Sequence, residues 1–146
     1  MASPLINQGT LNRLRGSVVY ASNASLNVTA PYLAREAISI AFDGDAGILI
    51  PTLTGGVTSP EPYQMANVTI NLLKSQSLAD VYKTQIQTNT NVGDISIIAD
   101  SSTLSDYQLT NCVLKGVRDV TFDGNIPGFV VVVTGIYQVN GNLWNL

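Results

Sequence analysis

From Asn67 to Leu72 apolar and polar residues alternate. Val68, Ile70 and Leu72 fall on one face, and Asn67, Thr69 and Asn71 on the other. That period of two belongs to a β-strand with one covered face. Across the short step Lys74-Ser75-Gln76 the period changes. Leu78, Tyr82 and Ile86 recur every four residues with Val81 beside them, the apolar stripe of a helix, while Lys83, Gln85 and Gln87 point away. Ser77 stands where an N-cap belongs, and Asp80 three residues on suits a capping box and the positive helix N-terminus. The pattern predicts one α-helix over about residues 77–88, ended by Asn89 to Gly93.

The rest of the chain reads as strands. Ser17 to Ala21 is a short one, followed by the polar turn SNASLN. Glu36 to Phe42 alternates cleanly, with Ile38, Ile40 and Phe42 against Ala37, Ser39 and Ala41, and stops at Asp43-Gly44. A strand from Met65 leads into the helix. Asp94 to Ala99, Tyr107 to Leu114, Arg118 to Phe122 and Phe129 to Val139 follow, with turns at DSSTLSD, KG and DGNIPG. The last strand, FVVVVTGIYQV, is so β-branched that it must be central or covered.

Residues 44–63 form the long gap between two of these strands. The segment holds Gly55-Gly56 and three prolines, which predict a loop, yet also Ile48, Leu49, Ile50 and Leu53. A loop of this length is unusual unless functional or disordered, and a disordered one should be poor in such residues. It either docks on a neighbouring subunit or folds back over its own core. Together the elements predict a mainly β, single-domain chain over residues 1–146. The expected architecture is an antiparallel β-sandwich or partly open barrel of about seven strands with one helix at its side. Residues 1–15 read as an extended arm.

Composition sharpens this picture. Hydrophobic residues make up 45% of the 146, but charged residues only 12%, about half the usual share. The polar surface must therefore be mostly Asn, Gln, Ser and Thr, which is poorly protected by charge repulsion; cover by copies of the same chain would explain it. The net charge is -3 and there is no basic run, which argues against binding nucleic acid by phosphate neutralisation. No apolar run reaches membrane-spanning length, and MASPLINQGTLNRLRG lacks a signal-peptide apolar region. Folding in a cytoplasm is expected.

Candidate chemistry is sparse. There is no histidine, so the commonest general base and metal ligand is missing. Cys112, the one cysteine, lies mid-strand and reads as a small buried side chain. Asp43-Gly44-Asp45 lacks the further spaced carboxylates of a calcium loop; it and Asp119 and Asp123 read as turn chemistry. Lys74 and Ser75 are adjacent, so on a strand they point to opposite faces. No Gly-rich phosphate loop has a standard spacing. The three Asn-x-Ser/Thr triplets at Asn23, Asn27 and Asn67 fit chance in an Asn- and Thr-rich chain. No catalytic, cofactor or metal residues are expected.

The segment VTINLLKSQSLADVY, preceded by a Gly-rich loop with Thr58-Ser59-Pro60, resembles a pattern in tail tube proteins of contractile-tailed bacteriophages. EAISIAFDGD is similar to that family's preceding strand, of the form Glu-x-Ile-x-Ile. A Lys-Gly-Val-Arg-Asp hairpin and a long final strand also look similar, so the resemblance runs from about Gly16 to Leu146. It implies six-membered rings stacked into the inner tail tube. The tube is a conduit through which DNA passes without specific binding, and its subunits' sheets join into one barrel. The implied partners are copies of the same chain, the tail sheath, the baseplate tube initiator and the tape-measure protein. The implied location is the virion tail, assembled in the bacterial host cytoplasm. With it, Ile48, Ile50, Leu53, Arg13, Arg15 and Trp144 are expected at inter-ring or inter-subunit contacts. Asn67, Thr69 and Asn71 are expected to face the lumen, where a passing polyanion needs a polar, non-basic wall.

Three other readings compete. A baseplate tube initiator or tail terminator would not polymerise indefinitely. A carbohydrate-binding sandwich should cluster its exposed aromatics, and these are scattered along the chain. A small enzyme would need a carboxylate pair, and no spacing favours one.

Overall fold

A computed structural model describes residues 15–100, 104–118 and 120–143. Among them, eight strands and one α-helix form a curled antiparallel sheet, a half-barrel. In chain order the elements are β1 (Gly16–Tyr20), β2 (Leu33–Asp43), β3 (Gly47–Pro51), β4 (Gly56–Pro60), β5 (Tyr63–Leu73), α1 (Leu78–Thr88), β6 (Asn91–Ala99), β7 (Tyr107–Val117) and β8 (Gly128–Gln138). Six of the strands make the main sheet in the order β1-β6-β7-β8-β5-β2, and β3 and β4 pair only with each other. The mainly β half-barrel with one flanking helix is the fold class that the alternation predicts. The β-branched last strand, β8, lies between β7 and β5, as its composition requires.

Four local expectations are corrected. Residues 44–63 are not an irregular loop: Gly47 to Pro51 pairs with Gly56 to Pro60 in a hairpin, closed by a bond from Thr52 N–H to the Gly55 carbonyl (2.8 Å). Lys115-Gly116 is not a turn. Gly116, at φ 145°, is a bulge residue inside β7, and pairing with β8 continues through Val117. The strand expected from Arg118 to Phe122 is not formed by its described residues: the Arg118 N–H still donates to the Val130 carbonyl (2.9 Å), but it and residues 120–122 belong to no strand. Ser77 occupies the N-cap position but its own φ/ψ is helical and its side chain makes no capping bond.

The core lies on one face of the sheet. Val18, Val68, Ile70, Leu72, Ile95, Leu109, Val131 and Val133, from five strands, join Leu78, Ala79 and Tyr82 of α1 in a single cluster. Val81, expected in the helix stripe, is exposed instead, and Ala79 takes the inward place. The curl is visible in the aromatics. Phe42 of β2 and Tyr107 of β7 are three strands apart in the sheet, yet their ring centroids lie 6.0 Å apart and both touch Tyr137 of β8.

Tyr82 anchors the helix in the concave face. Its hydroxyl is buried, 2.7 Å from the Leu26 carbonyl and 2.8 Å from the Tyr20 hydroxyl. The carbonyl can only accept, so Tyr82 gives its one proton there and takes that of Tyr20. Burial raises the pKa of both phenols above the ordinary tyrosine value. Tyr82→Phe is therefore expected to leave a buried carbonyl unsatisfied and cost about 1–3 kcal/mol, read as a lower urea midpoint at unchanged slope.

β7 reaches its curvature through bulges. Asn111, at φ 50°, sits in the irregularity between Thr110 and Val113, the kind of extra residue that bends a strand. The bulge drives Cys112 inward against Gly135 of β8. A Cβ on Gly135 would lie 2.5 Å from the Cys112 Sγ and 3.1 Å from the Leu109 Cβ. Gly135→Ala is expected to destabilise by about 1–3 kcal/mol through overpacking. Adding Cys112→Ala should recover part of that loss in a double-mutant cycle of thermal midpoints.

Candidate assembly surfaces

The β3–β4 hairpin projects from the half-barrel with its strands wholly on the surface. Ile48 and Ile50 are about half exposed, Leu49 and Val57 more so, and Leu53 at the tip is fully exposed. The structure thus brings Ile48, Ile50 and Leu53 together and adds Leu49 and Val57. Of the two alternatives for this segment, folding back over the core is excluded. Its base is fixed. The Asn140 Nδ2 donates to the carbonyls of Ala46 (2.8 Å) and Glu61 (2.7 Å), and the Gln64 Nε2 to that of Gly44 (2.8 Å). The hairpin is thus an exposed apolar projection tied down at its base, the kind of patch that marks interaction sites in other proteins.

The second surface is the sheet face away from the core. β5 points Asn67, Thr69 and Asn71 to it, because Val68, Ile70 and Leu72 between them are fully buried on the other side. Asn67 and Asn71 are bonded to their neighbours. The Thr134 Oγ1 donates to the Asn67 Oδ1 (2.8 Å), and the Asn67 Nδ2 donates to the Asp43 carboxylate (2.7 Å), a ladder across β8, β5 and β2. The Asn71 Nδ2 donates to the Ala37 carbonyl (3.1 Å), stitching the bulge of β2 in which Ala37 takes φ 52°. Val132, between Thr69 and Gly116 in register, is nearly buried by these neighbours although it lies outside the core cluster. The face therefore sets Asn67, Thr69, Asn71 and Thr134 around Val132, with Asp43 as the charge in its ladder.

The third surface is the loop after β7. Lys74 ends the strand–helix junction, and its ammonium donates to the Thr121 carbonyl (2.6 Å), the Thr121 Oγ1 (2.9 Å) and the Ile126 carbonyl (2.7 Å). All three of its donors are used. Asp123 closes the loop from within, its Oδ1 accepting from the N–H groups of Asn125 and Ile126, the turn chemistry expected of it. Held this way, the loop exposes Phe122 completely, with Val120 and Ile126 beside it. Nothing local in the sequence marks Lys74 for this task, because its acceptors lie about fifty residues downstream.

Arg15 makes a surface ion pair with Asp100 (2.7 Å); with both side chains largely exposed it contributes little to stability. Arg13 and Trp144, expected at contacts, and Asp119 lie outside the described residues. Cys112 is buried, and desolvation pushes its thiol up to about 11, the opposite of what a nucleophile needs. Among the described residues no cluster of acidic, Cys or His side chains could hold a metal ion, and no helix is long and apolar enough to cross a membrane. The sequence matches no protein-family model and no curated protein significantly.

Lys74→Met should free the loop without unfolding the sheet. Each charge-assisted bond is worth about 1.5–3 kcal/mol, so limited proteolysis between Val120 and Ile126 should accelerate by roughly tenfold or more, while the thermal midpoint moves little. Unchanged cleavage would show that the loop is held by other contacts.

Proposed function

We propose that this chain is a structural subunit of a contractile phage tail: a tail tube protein whose six-membered rings stack into the conduit for DNA. The observation that carries the reading is the hairpin, an apolar element fixed at its base and exposed along its whole length. A monomer gains nothing from five exposed aliphatic side chains on one projection, whereas a polymer buries them at each joint. A head-to-tail contact of this kind closes into rings or propagates as a filament. The resemblance of the strand–helix segment supplies the family, and the polar face of β5 supplies a wall that a polyanion can slide along. Sheath, tube initiator and tape-measure protein are the further partners that this role entails, and the assembled virion tail is its location.

The reading is tested on the hairpin and on the face separately. Ile50→Glu with Leu53→Glu places charge at two exposed positions, so the fold should stand while assembly fails; sedimentation velocity at matched concentrations reads this directly. Assembly equal to that of the unmodified chain would remove the hairpin from the account. Thr69→Lys with Asn71→Lys should leave tubes intact but retard DNA passage, because cations on the wall bind phosphate. Unchanged infectivity of phage carrying that pair would place the lumen on another surface.

A further inference from the structure

Two strands, β1 and β2, end the main sheet, and their edges are not equivalent. Val18 of β1 exchanges both backbone bonds with Val28 (3.0 and 2.9 Å), and the Tyr20 N–H donates to the Asn27 Oδ1 (2.8 Å). The segment after β1 therefore folds back and seals that edge.

Among the described residues the outer edge of β2 makes no backbone bond to another strand, although Gly16 of β1 comes close to Ile38 at one end, and the register shows which groups it presents. Bonds from Val139 N–H to the Pro62 carbonyl and from Lys74 N–H to the Pro127 carbonyl bracket the unbroken β5–β8 ladder. Antiparallel pairing alternates, so even-numbered residues of β5 bond to β8, and Met65, Asn67 and Thr69 bond to β2. Their partners are Asp43, Ala41 and Ser39. The backbone N–H and C=O groups of Ile38, Ile40 and Phe42 then point outward. From Ile38 to Phe42 there is no proline, no charge and no bulge, the three devices that normally blunt an edge. An apolar cleft of about 300 Å³, lined by Ile40, Phe42, Ile97, Leu104 and Tyr107 among others, lies beside it.

The hairpin supplies the complement. Bonds at Thr52–Gly55 and Ala46–Glu61 fix its alternation. Gly47, Leu49 and Pro51 of β3, and Gly56, Thr58 and Pro60 of β4, face outward. Each hairpin strand is five residues long and uncharged; Pro51 and Pro60 each remove one outward N–H, but Gly47 and Leu49 of β3 and Gly56 and Thr58 of β4 keep theirs to set against the outward groups of Ile38, Ile40 and Phe42. Pairing of β2 with a second β2 would close as a symmetric dimer; pairing of β2 with a hairpin joins two different surfaces and can repeat.

We propose that the Ile38–Phe42 edge of β2 is a strand-addition site whose occupant is the β3–β4 hairpin of a second copy of this chain. The inference rests on the polymer reading and specifies its joint. The sealed β1 edge takes no part.

Disulfide trapping tests it. Ala41→Cys is combined in turn with Ile50→Cys and with Val57→Cys, and Cys112, buried, serves as the background. After mild oxidation of assembled protein, at least one combination should give covalent multimers on a non-reducing gel, and none of the three single variants should form more than dimers. Tubes or rings in the microscope without such multimers would overturn the joint and leave the polymer reading standing. Absence of any assembly would overturn both. Ile40→Pro gives an independent reading, because it deletes an N–H that no described residue of the folded chain accepts. It should raise the concentration for half-assembly by roughly tenfold or more with circular dichroism unchanged. Assembly like that of the parent by a folded Ile40→Pro variant would count against the site.

Discussion

Everything in this fold depends on the sheet curling tightly enough for one eleven-residue helix to fill its concave face. A flat six-stranded sheet would need far more cover than α1 can give. The curl brings β2 and β7 into contact through Phe42 and Tyr107, and it encloses Tyr82 against Tyr20 and Leu26. Bulges at Asn111 and Gly116 and the close approach of Gly135 to Cys112 make it possible. The strand-to-helix junction at Lys74 follows from the same constraint, since the chain must turn straight off β5 to place the helix inside the curl.

What the curl leaves over explains the surface. One face is consumed by the core, and one edge is sealed by Asn27 and Val28. The opposite face, the β2 edge and the hairpin remain. Asp43 apart, the residues that define them lack the charge that ordinary surfaces use for solubility. The polar face satisfies its own side chains through the Asp43–Asn67–Thr134 ladder, so it needs no partner to be stable. The hairpin leaves both its outer backbone groups and its aliphatic side chains without partners among the described residues. That difference separates a surface suited to water from one suited to protein.

The sequence made the alternating strands legible because each has one buried face; Asn67 to Leu72 and Ile38 to Phe42 fall where the period of two puts them. The helix was legible for the same reason, except that the buried stripe widens on the flank of Ala79 and not on the opposite flank of Val81. The hairpin was hidden because Ile48-Leu49-Ile50 does not alternate and the prolines read as breakers, although Pro51 and Pro60 stand at outward positions where no ladder bond is lost. Lys115-Gly116 looked like a turn because glycine at positive φ serves turns and bulges alike. The loop held by Lys74 depends on contacts about fifty residues apart, which no local pattern encodes. Of the candidate surface, Asn67, Thr69 and Asn71 were readable as one face; Thr134 and Asp43, which complete it, were not.

The central claim is that the exposed surfaces of this chain exist to be buried by copies of itself. Negative-stain electron microscopy of the purified protein over a concentration series tests this most directly. The account predicts hollow tubes or stacked rings that become more numerous with concentration. A chain that stays monomeric at every concentration, alone and with added phage baseplates, would contradict it.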